Sequence, residues 1–170
     1  MSVVYTIGYE GTDIDRFVAT LKAAGVKRIA DVRAVAISRK RGFSKKGLGL
    51  RLSEAGIDYI HLVDLGDPKP GREAARSGQY ALFHDIYSSH LDSEAAKTSL
   101  KELVDVAGEK PTCLLCFERD PAMCHRSILA EEMTSFGFEV FNLYGVDPER
   151  YARNAYRMPG HHPREGAAPA

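Results

Sequence analysis

No stretch of this 170-residue chain approaches the roughly 20 consecutive apolar residues that span a bilayer. The opening Met1-Ser2-Val3-Val4-Tyr5 lacks the basic, apolar and small-residue order of a signal peptide, so a cytoplasmic protein is expected. Net charge is missing as well: 23 Lys and Arg balance 23 Asp and Glu, which excludes a global electrostatic pull toward nucleic acid or an acidic membrane. Cysteine is scarce and odd in number, and Cys113, Cys116 and Cys124 fall within one short stretch. A disulfide scaffold stapling distant loops is therefore not expected. There is no internal repeat and no linker that would split the chain.

What is present suffices for one core: 44% of the residues are apolar, enough for a single domain of this size but cramped for two. We expect one α/β domain over 1–157. The stretch 158–170, which holds His161 and His162, is rich in Pro, Gly and Ala and reads as a disordered tail.

Along the chain, residues 3–9 form a β-rich run, and Ile14, Phe17, Val18, Leu21 and Ala24 then recur at helical spacing up to Gly25, a glycine where a helix C-cap belongs. Residues 26–33 alternate as a second strand, completing one right-handed βαβ unit. A short helix over 48–55 and a strand over 57–63 repeat the rhythm. Residues 66–71 contain two prolines and two glycines and read as loop; helices follow over about 79–90 and 93–107. The run Thr112-Cys113-Leu114-Leu115-Cys116-Phe117 is almost continuously apolar, which predicts the middle strand of a sheet buried on both faces. A turn over 119–123, a helix over 127–136 and a strand over 138–143 close the pattern. The expected class is α/β, with a mostly parallel central sheet of about five strands.

In such sheets ligands sit outside the carboxyl ends of the strands. That rule selects Gly8-Tyr9-Glu10, Asp31 and Arg33, the loop Ser38-Arg39-Lys40-Arg41, residues 61–64, and the stretch from Phe117 to Arg126. In the last of these, a chain leaving a buried strand through Glu118 and entering a helix at Cys124-His125-Arg126 presents unpaired N–H groups. A thiol there feels the positive helix end and two cationic neighbours, making Cys124 a candidate nucleophile. The bland alternative is a small buried cysteine at a helix start, with His125 and Arg126 solvated or paired with Glu118.

Cys113 and Cys116 form a Cys-x-x-Cys pattern, but positions three apart on a strand point to opposite faces, so the two thiols cannot readily share a metal or a disulfide and are read as core. Cys113 and Arg119 have the Cys-x5-Arg spacing of phosphatases, yet a buried strand lies between them. A metal site from Cys116, Cys124 and His125 is a minority reading because the ligand spacing is not a strong one.

Asp31 and Arg33 share a face of their strand; the carboxylate either pairs structurally or acts as a general base or histidine-orienting group. From Arg33 to Ser53 there are seven cations, Arg33, Arg39, Lys40, Arg41, Lys45, Lys46 and Arg51, with no acidic residue among them. Arg39 to Lys46 with Phe43 suits phosphate contact and base stacking, set against an ordinary solvated face. Tyr5, Tyr9 and the loop near Tyr80 line either a site or a contact between copies.

These residues together are similar to the domain-of-unknown-function 488 family. The resemblance is carried by Thr6-Ile7-Gly8-Tyr9, by Asp31-Val32-Arg33 with Ser38-Arg39 and Phe43, by residues 56–62 with Leu65-Gly66, and by Leu115-Cys116-Phe117-Glu118 through Cys124-His125-Arg126. Where the family pattern has a proline two residues before the Ser-Arg pair, this chain has Ala36. The resemblance implies a compact, three-layer α/β sandwich with a polar cluster at Asp31, Arg33, Ser38, Arg39, Glu118, Cys124, His125 and Arg126, and nucleic-acid processing as its setting. It specifies neither a reaction nor a cofactor.

The leading expectation is an enzyme acting on a phosphate-bearing substrate, nucleic acid or nucleotide. Cys124, His125, Asp31 and Glu118 would serve in catalysis and Tyr9, Arg33, Ser38, Arg39 and Arg126 in binding. The alternatives are a non-catalytic nucleic-acid-binding module held by Arg39, Lys40, Arg41, Lys45 and Lys46, and a metal-binding or thiol-redox protein using Cys124 and His125.

Overall fold

The computed structural model describes residues 2–153. The tail expected over 158–170, with His161 and His162, lies outside them. Five strands and seven helices follow one another as β1 (Ser2–Gly8), α1 (Ile14–Ala24), β2 (Arg28–Asp31), α2 (Lys45–Glu54), β3 (Asp58–His61), α3 (Lys69–Arg76), α4 (Tyr80–Leu91), α5 (Glu94–Glu109), β4 (Thr112–Cys116), α6 (His125–Thr134), β5 (Phe138–Tyr144) and α7 (Glu149–Arg153). No helix among the described residues is long and apolar enough to cross a membrane.

Local chemistry accounts for the boundaries. The Asp13 side chain accepts from the Arg16 N–H at the start of α1, and Gly25, left-handed at φ 79°, ends that helix, a conformation glycine adopts without steric cost. Ser93 caps α5 in the same manner as Asp13 caps α1. Helix α3 corrects the reading of residues 66–71 as loop. Pro70 lies in its first turn, where the missing N–H has no helical acceptor to lose.

The sheet is parallel throughout, in the order β3-β2-β4-β1-β5. As its apolar run predicts, β4 is the central strand, with all five residues buried. Side chains alternate between two cores. Tyr5, Ile7, Ile29, Cys113 and Leu115 pack with Phe17 and Leu21 of α1 and Leu48 and Leu52 of α2. Val4, Ala30 and Leu114 pack on the other face with Phe83, Tyr87, Leu103, Leu129 and Met133 from α4, α5 and α6. Helices thus cover both faces, the arrangement a parallel sheet requires.

The strand order also locates a crevice. From β2 the chain passes to β3 on one side, whereas from β4 it passes over β1 to β5 on the other. The carboxyl ends of the adjacent strands β2 and β4 therefore diverge, which defines the switch point where ligands bind in open α/β sheets.

Candidate active site

Gly8 and Cys116 face each other in register at the ends of β1 and β4. Past them the two chains remain joined, Tyr9 N–H donating to Cys116 O at 3.3 Å and Glu10 N–H to Phe117 O at 2.8 Å. A Cβ on Gly8 would stand 1.7 Å from the carbonyl oxygen of Glu118, so only glycine lets the segment after β4 lie this close. Over these strand ends opens a crevice of about 480 Å³, within the usual range of small-molecule sites. Its walls include Tyr9, Arg33, Asp67, Arg72, Arg76, Tyr80, Phe83, Phe117 and Glu118, and Cys116, Cys124 and His125 line it as well.

Two sulfurs and an imidazole meet there. Cys116 Sγ and Cys124 Sγ are joined in a disulfide closing a loop of sequence separation 8, while Cys113 remains a free thiol in the core. Strand parity separates Cys113 from Cys116 as expected, but the reading of Cys116 as core only is corrected. The turn after β4 doubles back and places the residue before α6 against the strand end. Cys124 occupies the N-cap position of α6 without capping it. In the bonded state it is not a free nucleophile.

His125 is buried, and its Nε2 lies 2.6 Å from Val32 O. A carbonyl only accepts, so Nε2 carries the proton and Nδ1 presents its lone pair. That lone pair points between the sulfurs, 3.7 Å from Cys124 Sγ and 3.8 Å from Cys116 Sγ. Burial pushes the His125 pKa down to about 4, outweighing the bond to Val32, so the ring is neutral at physiological pH. Glu118 Oε2 stands 2.9 Å from Cys116 Sγ, and burial raises its carboxyl above the ordinary range.

Several expected ligand-binding groups are committed elsewhere. Asp31, fully buried, holds Arg33 through Nε at 2.9 Å and Nη2 at 2.7 Å, accepts from the Arg33 N–H at 3.1 Å and accepts from Tyr59 Oη at 2.5 Å. This bidentate pair is structural, and the general-base role for Asp31 is corrected: its oxygens have no reach into the crevice to spare. Arg33 additionally donates to Phe43 O at 2.6 Å, though its edge still lines the crevice.

Arg126 is also corrected. It is fully buried and donates to the carbonyls of Glu118 and Arg119 and to Thr6 Oγ1. It fastens the turn and cannot hold a ligand's oxygens.

The basic loop has a different character from that expected. Phe43 is completely buried and stacks on Tyr9 with ring centroids 4.5 Å apart, so it cannot stack on a base. Ser38 shapes the loop: its N–H donates to Ser44 Oγ, and its Oγ accepts from the Lys40 N–H. Neither Ser38 nor Arg39 is among the crevice-lining residues. Ala36 accepts from the Lys45 N–H through its carbonyl at 2.8 Å, a group that proline in the same place would also supply. Arg39, Arg41, Lys45 and Lys46 are exposed.

The crevice wall that sequence reasoning missed comes from α3 and its approach. Gly66 packs so tightly on Ala34 that a Cβ would come within 2.3 Å of its Cα, which brings Asp67, Arg72 and Arg76 over the strand ends. Asp67 is 5% exposed, and its Oδ1 has no hydrogen-bond partner. Burial raises its pKa to about 7, Arg72 opposing and Glu118 adding to the shift.

The sign of the resulting pH dependence follows. With a folded pKa above the unfolded value near 4, the native state binds more protons between about pH 4 and 7. The folded state therefore loses stability as pH rises through that window. Asp67→Asn is expected to exceed the wild-type chain in urea unfolding by about 1 kcal/mol at pH 4.5 and by about 4 kcal/mol at pH 8. An equal difference at both pH values would refute the assignment.

A parallel α/β protein with a sulfur and imidazole cluster at its strand switch point is the class that fold and site define. The family model described as Domain of unknown function DUF488 matches residues 13–133, and the chain belongs to that family. No curated protein and no solved structure matches it.

Proposed function

We propose that this chain is an enzyme acting on a phosphate-bearing substrate of nucleotide size, either a free nucleotide or one unstacked nucleotide of a strand. The observation that carries this reading is the composition of the crevice. Arg72 and Arg76 form no ion pair among the described residues, Tyr80 and Phe117 are 43% and 44% exposed, and Cys116, Cys124 and His125 lie in the same crevice. Guanidinium groups suit phosphate oxygens, and exposed aromatic faces suit a base. Asp67, with a pKa of about 7, is matched to proton transfer at neutral pH. Relative to the sequence-based expectation, the anion-holding role moves from Arg126 and Arg39 to Arg72 and Arg76.

The exposed cations of the basic loop extend this reading toward nucleic acid. Lys45 and Lys46 occupy the first turn of α2, where the helix dipole disfavours cations, so their placement favours a polyanion over local stability. Replacing Arg39, Arg41, Lys45 and Lys46 by Gln is expected to flatten the salt dependence of single-strand binding while leaving mononucleotide binding unchanged. In equilibrium titration with a nucleotide panel, Arg72→Ala/Arg76→Ala should weaken binding at least about tenfold, as loss of charge-assisted bonds does. Cys124→Ser should abolish turnover and leave the fold intact. Failure of every phosphate-bearing ligand to bind, or binding indifferent to the two arginines, would refute the proposal.

A further inference from the structure

The sulfur pair and the imidazole beside it have a geometry that a disulfide alone does not call for. We propose that, once reduced, Cys116 Sγ, Cys124 Sγ and His125 Nδ1 bind a zinc-type divalent cation whose fourth coordination position opens into the crevice. Cation binding itself is independent of what the crevice takes as substrate; its use in catalysis rests on the function proposed above.

Four observations converge. The three donor atoms all lie within 4.8 Å of one another and belong to buried residues. With bonds of about 2.3 Å to sulfur and 2.1 Å to nitrogen, tetrahedral zinc holds S and N about 3.6 Å apart. The observed separations are 3.7 and 3.8 Å, so nitrogen already stands at coordination distance from both sulfurs. Second, the Nε2–H bond to Val32 O at 2.6 Å fixes the ring with Nδ1 as the donor. Metal-bound histidines are oriented in this way, by giving their other N–H to a carbonyl or carboxylate.

Third, the Cα atoms of Cys116 and Cys124 are 7.3 Å apart, beyond the usual span of about 4.4–6.8 Å for bridged cysteines. Sulfurs that share a metal stand about 3.8 Å apart, and this backbone accommodates them without closing. Fourth, all three residues line the crevice, so one face of the cation would meet substrate or water. Two cysteines, a histidine and an open position constitute a catalytic zinc arrangement. Glu118 and Asp67, both lining the same crevice, would lie within it to accept a proton from bound water. Cys113 takes no part, being on the opposite face of β4 among the α1 and α2 side chains.

Two equivalents of a low-molecular-weight thiol reduce the Cys116–Cys124 bond by two electrons, yielding two cysteine thiols and one small-molecule disulfide. The cation then displaces two protons as both sulfurs bind as thiolates. The imidazole is already neutral and loses none. Oxidation of the pair and occupancy by metal exclude each other.

The test uses the full chain, reduced and desalted without oxygen, titrated with zinc against a chromophoric chelator and separately with cobalt. Expected are one cation per chain, release of about two protons, and the sulfur-to-cobalt charge-transfer absorption of a tetrahedral thiolate site. Cys124→Ser and His125→Ala should each lower affinity about 100-fold or more, Cys113→Ser should not change it, and the oxidised chain should take up none. Near-ultraviolet circular dichroism confirms that each variant is folded, and the wild-type cobalt spectrum stands whether or not the variants fold. Folded, reduced chain that takes up no cation, or uptake indifferent to His125→Ala, would overturn the proposal. Zinc uptake without any phosphate-ligand binding would overturn the proposed function alone, and ligand binding without zinc uptake would overturn this inference alone.

Discussion

Asp31→Ala is expected to destabilise the chain by about 3–5 kcal/mol, the range found when one partner of a buried ion pair is removed. Asp31 is completely buried and Arg33 is 6% exposed, so the abandoned guanidinium cannot recover its hydration without opening the strand end. Tyr59 Oη loses its acceptor in the same step. Burial acts against the Arg33 charge, and the Asp31 carboxylate, with a smaller contribution from Tyr9, more than offsets it, raising the guanidinium pKa; without Asp31 the main favourable contribution is gone. Asp31→Ala/Arg33→Met should restore most of the stability, because an apolar side chain carries no stranded charge. Urea unfolding of the two single variants and the double variant measures the coupling. Additive effects, or a loss below about 1 kcal/mol for Asp31→Ala, would show that the pair is not what holds the end of β2.

Gly8→Ala is expected to damage fold and site together. The added methyl would stand 1.7 Å from Glu118 O, 2.4 Å from Glu118 C and 3.0 Å from Arg119 N. All three are main-chain atoms, so no rotamer change relieves the overlap. Arg126 grips the carbonyls of Glu118 and Arg119, and moving the segment therefore breaks bonds to a buried cation as well. A cost of about 3 kcal/mol follows from overpacking. The displaced segment joins Cys116 to Cys124, so zinc affinity of the reduced variant should fall along with stability. A variant as stable as the parent, with unchanged zinc affinity, would show that the β1 and β4 ends separate without consequence.

Much of the frame was legible because it is local. Residues 113–116 are apolar without interruption, and a strand with no polar face has to lie in the middle of a sheet; β4 does. Gly25 stands where the helical spacing of residues 14–24 stops, and the helix ends there. Strand parity correctly kept Cys113 apart from Cys116. Helix α3 was obscured by Pro68, Pro70 and Gly71. Prolines break helices only beyond the first turn, so their presence at a helix start reads like a loop. With α3 went the crevice wall, including Asp67, Arg72 and Arg76. A signal was available in Pro70 itself, since proline early in a helix is a start mark.

The remaining site residues show why residue type does not reveal role. Phe43, among five cations of the 39–46 segment, has the composition of a nucleic-acid contact, yet it fills the gap between Tyr9 and Phe17. Arg126 belongs to a motif that suggests anion binding, but main-chain carbonyls of its own turn consume its donors. Whether an arginine is available depends on what lies across from it, and for Arg126 one partner is 7 residues away and another 120.

By itself the sequence determined the α/β class, the central strand and the strand ends at which chemistry could gather, because periodicity and hydrophobic runs report on how each segment can bury its own faces. Only the tertiary structure decided which cations are spent on the fold, that Asp67 enters the site buried and unpartnered, and that Cys116 and Cys124 meet beside the unprotonated nitrogen of His125. Those outcomes depend on distances between segments remote in the chain, which the packing of helices on both faces of the sheet sets and no local pattern records.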